Sequence, residues 1–123
     1  EGINLLGADL PETAVPGSTI PITLYWQAAA TPAQDYTIFM QLLDSDREWA
    51  AGADAPPVNN FYATTLWQPG EIIDDTHLLT IPADLPPGVY PLLVGLYDPQ
   101  SGTRLPRQDE PVDFIELSLQ VGE

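Results

Sequence analysis

Thr19-Ile20-Pro21-Ile22-Thr23-Leu24-Tyr25-Trp26 sets Ile20, Ile22, Leu24 and Trp26 on one side of an extended chain and Thr19, Pro21, Thr23 and Tyr25 on the other. Successive side chains of a strand point to opposite faces, so this period of two reads as a half-buried β-strand. The same pattern recurs outward from it. Tyr36, Ile38, Met40 and Leu42 form a second inward row, while Phe39 and Leu43 on the outer side predict partial cover there. The turn Asp44-Ser45-Asp46-Arg47 leads into Glu48-Trp49-Ala50-Ala51, and alternation returns over Ile73 to Ile81. Tyr90, Leu92, Val94 and Leu96 make the cleanest row, and Ile115, Leu117, Leu119 and Val121 the last.

Fourteen prolines and nine glycines separate these segments at short intervals, which leaves no room for a long helix. Gly52 to Gly70, with Pro56-Pro57, Asn59-Asn60 and Pro69-Gly70, is the least regular stretch and reads as a long connection. Seven to nine short strands joined by Gly/Pro turns predict an all-β, immunoglobulin/fibronectin-like antiparallel β-sandwich. Tyr90, two residues past Gly88 at a strand entrance, fits the tyrosine that ties such a corner to nearby backbone through its hydroxyl.

The 123 residues carry three basic and eighteen acidic side chains, a formal charge of −15, with no lysine and no cysteine. Such a surface repels phosphate backbones and anionic headgroups, so nucleic acid and electrostatic membrane docking are excluded as partners. No stretch approaches the ~18 consecutive apolar residues of a span, so this segment does not itself insert into a membrane. Acidic residues never run longer than two, as at Asp74-Asp75, and read as a solvated face that keeps the domain soluble. Residues 1–123 are expected to form one domain, and a start at Glu1 rather than methionine reads as one piece of a longer polypeptide.

Chemistry is sparse. Nucleophilic catalysis needs a base beside a hydroxyl or thiol, and the only histidine, His77, lies in a strand in phase with Leu79 and Ile81, the place of a structural histidine. One histidine and no cysteine exclude a zinc site of the usual kind, and no cofactor is expected. Eighteen acids place many carboxyl pairs at glycosidase spacing by chance, which leaves a small hydrolase the weakest of the candidate functions. Asp44, Asp46 and Glu48 alternate as in the opening of a calcium loop, but Trp49 stands where that loop needs glycine and Ala55 where it needs glutamate, so a plain hairpin turn is the reading. The remaining candidate is sugar binding, in which an aromatic ring stacks on a pyranose face and neighbouring amides and carboxylates hold hydroxyls. Phe61, Tyr62 and Trp67 in the irregular stretch, with Asp54, Asn59 and Asn60, supply those types. The competing account makes the same rings a plug at one end of the sandwich. Trp26 and Trp49 sit at strand positions and read as core or edge packing.

Several phrases occur in order: Leu24-Tyr25-Trp26, Asp35 to Asp44, Asp54-Ala55-Pro56, Trp67-Gln68-Pro69-Gly70-Glu71, Leu85-Pro86-Pro87-Gly88-Val89-Tyr90, Val94-Gly95-Leu96-Tyr97-Asp98 and Gly102-Thr103-Arg104-Leu105-Pro106. Together they resemble the soluble β-sandwich domain appended to bacterial multi-spanning membrane glycosyltransferases of the mannosyltransferase-like type, over roughly residues 3 to 121. In that family the catalytic acids belong to the membrane-embedded part, so the resemblance carries no catalytic residue into this chain. It implies a non-catalytic accessory or interaction domain on the extracytoplasmic side, with a glycan or the membrane-embedded part of its own parent as partner. Family members commonly place a glycine in the turn at Asp44 to Arg47, whose absence here predicts a looser turn.

Overall fold

The computed structural model describes residues 3–55, 63–105 and 114–122. Among the described residues seven strands form: β1 (Ile3–Asp9), β2 (Thr19–Ala28), β3 (Thr37–Leu43), β4 (Trp49–Ala55), β5 (Ile72–Thr80), β6 (Gly88–Tyr97) and β7 (Ile115–Val121). They make two antiparallel sheets, one in the order β1-β2-β5 and the other β4-β3-β6-β7. A single turn of 3-10 helix spans Thr64–Leu66, and no helix of the described residues is long and apolar enough to cross a membrane.

The alternating rows close on one another as the period of two requires. Ile20, Ile22, Leu24 and Trp26 of β2 and Ile73 and Leu79 of β5 meet Ile38, Met40 and Leu42 of β3 and Leu92, Val94 and Leu96 of β6, with Leu119 and Val121 at the side. Each fully buried Leu, Ile or Val contributes about 1.5–3 kcal/mol, so this stack dominates the stability of the fold. Two prolines lie inside central strands. Pro21 stands beyond the last β1–β2 pair, Asp9 with Thr23, and Pro91 beyond the last β3–β6 pair, Leu42 with Leu92. A missing N–H costs no ladder bond on the side where the neighbouring strand has ended.

After β1 the chain crosses to the other sheet. Ala14 pairs in parallel with Val121, donating its N–H to Gln120 O at 2.8 Å while its carbonyl accepts Gly122 N–H at 2.9 Å. The Asp44 to Glu48 turn is closed, not loose: Asp44 N–H donates to Glu48 O, and its Oδ1 accepts the N–H groups of Asp46 and Glu48. Arg47 takes the left-handed conformation, φ 61°, that favours glycine, and those bonds hold it there. Gly52 to Ala55 continue β4, so the stretch read as a long connection begins inside a strand.

Tyr90 donates its hydroxyl to Pro86 O at 2.6 Å, the corner tie expected of it. Tyr90→Phe keeps the ring and deletes the bond. It is expected to lower unfolding free energy in urea by about 1 kcal/mol, and an unchanged midpoint would show that the tie contributes nothing.

Candidate functional site

Of the residues singled out for sugar binding, the two described ones, Trp67 and Asp54, are not exposed together. Trp67 is 0% exposed, its carbonyl accepting the Thr31 hydroxyl at 2.6 Å, so its ring has no face to offer a ligand. It follows directly on the 3-10 turn and fills the core there, as the plug account expects. Asp54 is exposed on β4. Asn59, Asn60, Phe61 and Tyr62 lie outside the described residues.

Position along β5 takes two other polar groups into the core, Asp75 against its reading as a solvated acid and His77 in keeping with its reading as a structural histidine. Asp75, grouped with Asp74 on the solvated face, is 0% exposed, and His77 is 3% exposed beside it. Alternation along β5 carries both into the core row between Ile73 and Leu79. Asp75 Oδ2 accepts the indole N–H of Trp26 at 3.1 Å and lies 2.6 Å from His77 Nε2. Among the described residues no buried side-chain polar atom lacks a partner, so the cluster is a satisfied polar knot inside an apolar sandwich.

Polar groups converge with rings on the outer face of the four-stranded sheet. Phe39 points outward from β3 between Asp54 of β4 and Gly95 of β6. It is nonetheless only 2% exposed, because Arg104 holds its guanidinium carbon 4.3 Å above the ring and Tyr97 packs beside it with centroids 6.4 Å apart. Tyr97 is brought there by the hairpin at Asp98 to Thr103, which bridges Tyr97 to Arg104. Its hydroxyl donates to Asp54 Oδ2 at 3.2 Å, and burial, then the Asp54 charge, hold it above the usual phenol range. Phe39, Gln41, Asp54, Tyr97, Gly102 and Arg104 line an open hollow of about 320 Å³.

Next to this hollow stands Trp49, 65% exposed rather than in the core. Its indole rests on Gly52, where a Cβ would come 2.9 Å from Nε1, so only glycine lets the ring lie against the strand. Gly52 pairs across the sheet with Gln41, one wall of the hollow. Sequence reading assigned Phe39 its outward cover and allowed Trp49 an edge place, but did not bring Trp49 and the hollow together. The available signal was the glycine three residues after a tryptophan on an edge strand.

At the opposite end, Asp44, Ser45, Pro82, Asp84, Pro86 and Tyr90 help line a second open hollow of about 390 Å³. Among the described residues no group of three or more His, Cys, Asp or Glu side chains is arranged to hold a metal ion.

No protein-family model matches this chain, and no curated protein matches it. Solved structures do. The C-terminal domain of wzt superposes with a TM-score of 0.64 at 12% identity, covering 99% of this chain and 74% of that one. The CARDB domain of a Pyrococcus furiosus protein, solved in complex with di-metal ions, gives 0.56 at 8% identity over 98% of this chain and 87% of that one. A β-glucosidase from Listeria innocua, in complex with glucose, gives 0.59 at 18% identity over 98% of this chain, which spans only 16% of the enzyme's length. At these identities the likeness is one of fold, and the chain is an all-β, immunoglobulin-like sandwich, with seven strands in two antiparallel sheets among the described residues.

Proposed function

We propose that this domain is a non-catalytic accessory module of a larger sugar-handling protein, a membrane glycosyltransferase of the mannosyltransferase-like type, on its extracytoplasmic side. One observation carries the non-catalytic reading. The only histidine is sealed in the core against Asp75, in a chain without lysine or cysteine, so the commonest general base and the strongest nucleophiles are unavailable at the surface. The phrases shared with the appended domains of membrane glycosyltransferases support the parent, and the wzt and CARDB domains support the format of a separate sandwich. A tethered module raises the local concentration of whatever it holds near the reaction centre without joining the chemistry.

The test compares the parent with and without this domain. Transfer from a lipid-linked donor to a short soluble acceptor is expected to stay within about threefold, while transfer to the large native acceptor falls by about tenfold or more. Equal loss with both acceptors, or none with either, would overturn the reading.

A further inference from the structure

We infer that the outer face of the four-stranded sheet is a binding site for a neutral oligosaccharide, with one sugar ring stacked on Trp49 and its neighbour's hydroxyls held in the hollow formed by Gln41, Asp54, Tyr97 and Arg104. The proposal rests on the accessory reading for its biological role, and on geometry for the site itself. Among the exposed large apolar side chains of the described residues, Trp49 is the one aromatic ring. Trp49 sets the nitrogen side of its indole against Gly52 and stays 65% exposed, which leaves ring surface for a ligand. A flat aromatic face of this kind takes the weakly positive C–H face of a pyranose, through the negative face of its π-system and the apolar area that it removes from water.

Stacking fixes the plane of a sugar but not its identity, which is set by hydrogen bonds. Gln41, directly across the ladder from the glycine under the indole, is the first polar group beyond the ring's edge. Asp54 and Tyr97, already joined at 3.2 Å, follow on the same surface, with Arg104 clamped over Phe39 as the far wall. A carboxylate accepts from two hydroxyls, an amide both donates and accepts, and a guanidinium donates, so vicinal diols meet complementary partners. Asp54, Tyr97 and Arg104 are held by each other and by Phe39 before any ligand arrives, which lowers the entropy lost on binding. The hollow's volume of about 320 Å³ suits a short saccharide. Charge selects against acidic sugars: Asp54 stands on the rim, and the whole chain carries −15.

Mannotriose, cellotriose, laminaritriose and the acidic trigalacturonate, titrated into the 123-residue chain and followed by amide NMR shifts and tryptophan emission, test the site. At least one neutral trisaccharide is expected to shift the amides of Gln41, Asp54 and Tyr97 and to shield Trp49 from acrylamide, with trigalacturonate binding at least tenfold more weakly. Trp49→Ala and Asp54→Ala should each weaken binding about tenfold or more, Trp49→Phe should restore part of it, and Leu78→Ala, at a similarly exposed residue of the other sheet, should leave it unchanged. No binding by any neutral probe, binding indifferent to Trp49→Ala, or tighter binding of trigalacturonate would each overturn the site. The accessory reading would survive all three, since it falls only with the parent experiment.

Discussion

Asp75→Ala is expected to cost about 3–5 kcal/mol of stability, because it strips the shared hydrogen-bond partner from two buried ring nitrogens at once. Trp26 Nε1 and His77 Nε2 both point at the same carboxylate oxygen, and nothing in the apolar row around them can replace it. Each orphaned group carries a desolvation cost of about 1–3 kcal/mol. Urea denaturation should show the loss directly, and the melting temperature should fall by more than about 10 °C. Replacing Asp75 and His77 together with leucine is expected to be less damaging than the sum of the single changes by about 1–3 kcal/mol, because an apolar pair removes one of the orphaned groups. A loss below about 1 kcal/mol for Asp75→Ala would mean that water reaches the cluster.

Trp67→Ala should be as severe, costing about 3–5 kcal/mol through the cavity left in a fully buried site. Trp49→Ala, on an exposed ring, should stay within about 0.5 kcal/mol of the parent. The contrast separates a core tryptophan from a surface one in a single pair of denaturation curves. It also guards against a misreading: a Trp67 variant that lost ligand binding would have lost it by unfolding. Equal costs for the two variants would contradict the burial of Trp67.

The sandwich was legible where each strand buries only one face. The rows of β2, β3 and β6 follow from a strict period of two, and even the cover over Phe39 was readable as a large apolar residue on the polar side. β1 was not delimited, because it is an edge strand with a register shift between Leu5 and Gly7 and buries little beyond Ile3. Asp75 and His77 obeyed the alternation that was already in hand, yet residue type was allowed to outrank position for the aspartate. Composition suggests that acids face water, but a carboxylate with two partners waiting for it can go inside. The candidate surface was harder still. Trp49, Gln41, Asp54, Tyr97 and Arg104 come from three strands and a hairpin, and only the pairing register of β4, β3 and β6 makes them neighbours.

The bridge between Ala14 and Val121 bears on how the module responds to tension. Parallel partners have their outgoing ends at opposite extremities of the pair, so a pull on the chain before Ala14 against the chain after Val121 slides the two segments past each other. The bonds from Ala14 N–H to Gln120 O and from Gly122 N–H to Ala14 O are then loaded together, in shear, and neither can open alone as the teeth of a zipper do. A domain tied in this way resists stretching along the line of the polypeptide better than its two short bonds would resist peeling.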